Sequence, residues 1–113
     1  MSLVIAQSDD FWADLQRQVD WYRDFAATDV AERYADAVEA TLNGLAKTPG
    51  IGRPRFINWA ELSGIRSGRV QRPYNRHLIF YRFDDRTLFA ERVLHGARDL
   101  PRRLLQSPYE TED

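Results

Sequence analysis

Residues 76–99 constrain what this 113-residue chain can fold into more than any other stretch. Leu78, Phe80 and Arg82 alternate with His77, Ile79, Tyr81 and Phe83. After Asp84 and Asp85 a second alternation sets Leu88, Ala90, Arg92 and Leu94 against Phe89, Glu91 and Val93. Successive side chains of a strand point to opposite faces, so a period of two predicts two half-buried strands. Their aromatic and branched residues, bounded by Asp and Gly, fit a hairpin with a tight Asp84-Asp85 turn. The block ends in a polar cluster of His95, Gly96, Ala97, Arg98 and Asp99.

Helical periodicity dominates the other half of the chain. Residues 2–7 read as a short first strand, after which Ser8 or Asp9 can cap a helix and Asp9 and Asp10 suit its positive end. Phe11, Trp12, Leu15, Val19, Tyr22 and Phe25 recur every three or four residues, which predicts an amphipathic helix to about Ala26. Asp29 with Glu32 resembles a capping box for a second helix, whose apolar stripe is Val30/Ala31, Tyr34, Ala37/Val38, Thr41/Leu42 and Leu45. Pro49, Gly50, Gly52 and Pro54 end it. A connection runs to about Ala60, and Leu62–Val70 reads as a strand weakened by Gly64 and Gly68. Asp99 and Pro101 start a short last helix through Leu105, which Ser107 and Pro108 stop. The order β-α-α-β-β-β-(α) describes an α+β domain in which two antiparallel helices pack on one face of a small, mainly antiparallel sheet. The other sheet face, or the rim where strand ends and loops meet, is then left for function. One domain over residues 1–106 with a polar tail at 107–113 is expected.

Composition narrows the class. There is no cysteine, which excludes disulfide and thiol chemistry and fits a reducing cytosol. Neither a basic leader nor a run approaching ~20 apolar residues is present, so a soluble, cytoplasmic protein is expected. The formal charge of −1 hides a segregation. Residues 1–46 carry three basic side chains (Arg17, Arg23, Arg33) against nine acidic ones, whereas residues 47–103 carry thirteen against five. A basic face built by the second half suits an acidic partner or phosphates. A mixed helix surface beside an arginine-rich sheet would give the same tally.

The chemistry-bearing motifs are few. His77 and His95 lack ligand partners at metal-binding spacing, so no metal and no cofactor are expected, and His77 reads as a surface or packing residue. Gly50-Ile51-Gly52 lacks the Lys-Ser/Thr of a phosphate loop, and Asp84 and Asp85 fit a turn better than a hydrolase pair. What remains is Arg66, Arg69, Arg72, Arg76, Arg82, Arg92 and Arg98 with His95 and Tyr81. Cleaving RNA needs a base, an acid and cations for the phosphorane charge. His95, Arg98 and Arg69 could supply these. Equally, His95 could donate to a backbone carbonyl while Arg98 pairs with Asp99.

Ile79-Phe80-Tyr81-Arg82 followed by residues 92–99 resembles the C-terminal half of the ParE/RelE toxins of type II toxin–antitoxin pairs. Ala31–Tyr34, Leu45–Pro49, Gly52–Pro54 and Gly64–Arg66 fall in the family's order, closer to ParE than to RelE. Of the RelE catalytic positions, the arginine ending the last strand matches Arg98 and a basic position falls near Arg69. Leu78 stands where RelE has an arginine, and Leu104 stands near its C-terminal tyrosine. The resemblance therefore implies a binding poison of DNA gyrase with no chemistry of its own. His95, Arg98, Arg66, Arg82 and Arg102 would face the target. A cognate antitoxin would lie on the helical hairpin at Trp12, Leu15, Tyr22, Tyr34 and Val38, and operator DNA would be reached only through it. The alternatives are a RelE-like ribosome-dependent mRNA endonuclease, or a member of the fold that keeps only antitoxin binding.

Overall fold

Ser8 does what its place three residues before Phe11 implies. In the computed structural model, which describes residues 2–56, 58–96 and 100–108, its hydroxyl accepts the Phe11 N–H at 3.0 Å and caps α1 (Asp9–Phe25). β1 (Val4–Gln7) precedes it and α2 (Thr28–Lys47) follows. The expected capping box is absent. Ala27 occupies the cap of α2 with no side-chain bond, and Asp29, already in the first turn, pairs with Arg33 at 3.0 Å instead. The apolar stripe of α2 is as its spacing predicts, with Ala31, Tyr34, Val38, Thr41, Leu42 and Leu45 all buried.

Short 3-10 turns at Pro49–Ile51 and Ala60–Leu62 flank a two-residue strand, β2 (Arg53–Pro54), which periodicity cannot reveal at that length. The strand expected over Leu62–Val70 shrinks to β3 (Arg66–Arg69), because Leu62 sits in the 3-10 turn and Gly64 takes φ +82°. Then come β4 (His77–Phe83), β5 (Thr87–His95) and α3 (Leu100–Leu105). The sheet order is β1-β5-β4-β3-β2, antiparallel except for the parallel β1–β5 pair. Both long helices cover one face. There Phe11, Tyr34, Val38, Leu42, Ile79, Tyr81, Leu88 and Val93 form the main core, where each large side chain contributes about 2–3 kcal/mol of hydrophobic stabilisation. No helix among the described residues is long and apolar enough to cross a membrane.

The hairpin turns around Asp84, whose N–H donates to the Thr87 carbonyl and whose carboxylate accepts from the N–H groups of Arg86 and Thr87. Those two donors hold the Asp84 carboxyl below the usual range. The alternation expected along β5 fails midway. Phe80 faces Arg92 but Tyr81 faces Ala90, so Glu91 is an extra residue in a bulge. Leu88 and Ala90 therefore join Val93 in the main core, while Leu94 moves to the opposite face with Leu62, Ile65, Leu78 and Phe80. That second face is not left open as expected, since Phe56, Leu100 and Leu104 pack over it.

β1 covers only the first part of β5, and α1 closes the rest of that edge. The Ser8 hydroxyl donates to the Glu91 carbonyl at 2.9 Å, and the Asp14 carboxylate accepts the Val93 N–H at 3.1 Å. Asp14 also takes a fork of two bonds from buried Arg92 (2.7 and 2.9 Å). The remaining amino group of Arg92 donates to the carbonyls of Arg103, Leu104 and Gln106, closing the C-terminal end of α3. Arg17 holds the Pro108 carbonyl nearby, and Pro108 is buried, so the packed chain extends past the tail boundary expected at 107.

Candidate functional site

Strands β2 to β5 end at a rim where the bulged, twisted sheet brings cations together. Arg53, Arg55, Arg69, Arg76 and His95 surround an open cleft of about 510 Å³, completed by Leu78, Gly96 and Leu100. Arg55 donates to the Ser67 hydroxyl at 2.9 Å and Arg69 to the Asn75 carbonyl at 3.0 Å, which fixes both guanidinium groups. Among the described residues, no carboxylate lines the cleft and none of its four arginines forms an ion pair. Burial first, and the charges of Arg53 and Arg69 second, lower the pKa of Arg55.

A second cleft of about 420 Å³ adjoins the first and shares Arg76 and His95 with it. Its walls are Arg17, Gln18, Trp21, Tyr22, Pro73, Tyr74 and His77. The rings meet edge to face, with Tyr22 and Tyr74 at 74° and Trp21 and Tyr22 at 79°. His77 is a packing residue, 6% exposed, with its ring edge-on to His95 at 5.5 Å. Burial first, and the charge of His95 second, push its pKa down to about 4. The Tyr34 hydroxyl lies 3.5 Å from its Nδ1.

A pH dependence follows from that shift. Unfolded, His77 binds its proton near the ordinary 6.5, but folded only near 4. The unfolded state thus holds more protons between those values, and stability falls as pH drops from 6.5 to 4, then levels off. The loss should be on the order of 2 kcal/mol, reduced from the full shift because solvent reaches His95 beside it. Urea melts at pH 7 and 4.5 should show this for the wild type and not for His77→Phe. An unchanged slope in the variant would assign the effect to other groups.

The residues expected to carry function are distributed unevenly. His95 is exposed at the junction of the two clefts and Arg69 lines the first. Arg53, Arg55 and Arg17, which sequence reasoning did not single out, complete the clefts. The arginine excess of the second half was a signal for Arg53 and Arg55; Arg17, on α1, had none. Arg82, by contrast, donates to both Glu91 carboxylate oxygens at 2.7 Å and to the carbonyls of Ser63 and Glu61. Arg66 donates to the Gly52 and Gly50 carbonyls. Arg92 lies inside the fold. Arg102 is exposed on α3, and Arg98 lies outside the described residues. On the hairpin, Trp12 is exposed and Leu15 and Tyr22 are half-buried. Tyr34 and Val38, however, are 0% and 1% exposed and belong to the core, so they present no surface to an antitoxin.

Comparison with known proteins identifies the family of this two-helix hairpin on a five-stranded mixed sheet. The profile of the ParE toxin of the type II toxin–antitoxin system parDE matches residues 5–100, and the chain belongs to that family. Its fold is similar to that of a chain from the chromosomal ParDE toxin–antitoxin system of P. aeruginosa (TM-score 0.68, 18% identity), covering 83% of this chain and 96% of that one. It is also similar to a chain of the RelBE2 toxin–antitoxin complex from Mycobacterium tuberculosis (TM-score 0.56, 22% identity), covering 84% and 99%. No curated protein sequence matches the chain.

Proposed function

We propose that this ParE-family toxin acts by binding, inhibiting DNA gyrase at its cleaved-DNA stage in the cytoplasm, and that a cognate antitoxin neutralises it. The extent of the ParE match, residues 5–100, carries the reading. The internal use of the strand arginines supports it. Arg66, Arg82 and Arg92 direct their donors to carbonyls, Glu91 and Asp14, which leaves the rim cations for a partner. We assign His95 and the α3 surface bearing Arg102 to the target, together with Arg98. Trp12, Leu15 and Tyr22 go to the antitoxin, through which operator DNA is bound.

One observation favours a second reading. The first cleft sets a titratable His95 among four arginines, the groups that RelE-like RNA cleavage would need. Gyrase supercoiling by the purified toxin, run beside primer extension on translated mRNA, separates the two. Unsupercoiled or cleaved plasmid with intact mRNA is expected. Codon-phased cuts with normal supercoiling would replace the gyrase reading by the endonuclease. If neither assay responds, antitoxin binding is the function retained.

A further inference from the structure

The two adjoining clefts differ in chemistry and share a wall, which constrains what fits both. One is cationic, with four arginines and, among the described residues, neither a lining carboxylate nor an ion pair to those arginines. The other is aromatic and uncharged at its floor, where His77 is buried and neutral. A nucleic acid would suit the first cleft, but bases bind proteins by stacking on open ring faces. Here the rings interlock edge to face, presenting a walled recess instead of a platform. The Tyr74 hydroxyl is already donated to the Val30 carbonyl, and the Tyr34 hydroxyl lies 3.5 Å from His77 Nδ1, so both hydroxyls turn inward from the recess. A recess of about 420 Å³ walled by Trp21, Tyr22, Pro73 and Tyr74, with polar side chains at its edges, takes one large side chain.

We propose that the two clefts together seat one peptide segment of the antitoxin. A bulky apolar side chain fills the recess between Trp21 and Tyr74, and carboxylates a few residues away lie over Arg53, Arg55, Arg69 and Arg76. The inference rests on the toxin reading and adds the position and chemistry of the neutralising contact. Acidic groups relieve the mutual repulsion of the arginines, and guanidinium forks bind carboxylates with two parallel bonds. The segment covers His95 at the junction, so neutralisation follows from blocking that surface, and electrostatic attraction speeds its arrival.

The probe is the small protein encoded beside this gene, with affinity read by titration calorimetry against the full-length toxin. Trp21→Ala should weaken binding by about 10-fold or more, as loss of an aromatic anchor does. Arg53→Glu/Arg69→Glu should weaken it by about 100-fold and flatten its salt dependence. Arg86→Glu, at the hairpin turn, should bind like wild type, and circular dichroism melts should show all variants folded. If the neighbouring protein fails to bind the wild type, the toxin reading itself fails. If it binds wild type and both cleft variants equally, the antitoxin docks elsewhere and the inference is overturned. A DNA duplex that binds the clefts and is not displaced by the neighbouring protein would likewise overturn it, assigning them to nucleic acid.

Discussion

Asp14→Ala is expected to cost about 3–5 kcal/mol of folding stability, a large part of the ~5–15 kcal/mol typical of a small domain. The carboxylate is the counterion of a guanidinium that is itself buried, 6% exposed for the residue. Removing it strands the Arg92 charge and leaves the Val93 N–H without its acceptor. Urea denaturation measures the loss. Replacing both partners with apolar residues (Asp14→Leu with Arg92→Met) should recover much of it, since neither charge then stays buried alone. Recovery should stop short of wild type, because the carbonyls of Arg103, Leu104 and Gln106 still lose their donor. A single substitution costing under ~1 kcal/mol would show that water solvates the Arg92 guanidinium once Asp14 is gone.

Gly52→Ala is the second large effect, for steric reasons. A Cβ at this position would lie 2.0 Å from the Tyr81 hydroxyl oxygen and 2.7 Å from two ring carbons. Tyr81 is fully buried and cannot swing away. Its hydroxyl donates to the Pro49 carbonyl and accepts the Gly52 N–H, so the ring staples the end of α2 to the sheet. Displacing it combines overpacking with two lost hydrogen bonds, about 3 kcal/mol or more. Tyr81→Phe alone should cost about 1–3 kcal/mol. In the double variant the penalties should not add, because both act on one contact. Additive costs in thermal melts would place the strain of Gly52→Ala elsewhere.

How much of this was legible in the sequence depends on the range of the interaction. Both long helices follow from three- and four-residue spacing, and Ser8 caps α1 because its acceptor lies next to the donor. Local reading failed where two local signals competed. Asp29 and Glu32 have capping-box spacing, but the helix had already begun at Thr28, and Asp29 found Arg33 one turn on. Period-two reading of β5 was sound up to Ala90. The bulge at Glu91 is invisible to it, and one inserted residue reverses the face of everything after it. The site was harder still. Arg82, Arg92 and Arg69 are alike as letters, yet the first two hold the fold together and the third lines a cleft. Asp14 sits among the polar residues of α1 and meets Arg92 only through tertiary packing. The arginine excess announced a cationic surface without saying which arginines build it.

The placement of β1 beside β5 has a consequence in time. Val4 pairs with Thr87, so β1 leaves the ribosome long before the strand it pairs with. At translation rates of about 5–20 residues per second, that wait is several seconds. During it α1 and α2 can form from local contacts, but the sheet beneath them has neither its central pair nor its first edge. A chain cut short before β5 leaves Val4–Gln7 without its partner strand and α1 without the strand it packs on. The rim that carries His95 therefore exists only once β5 has been made.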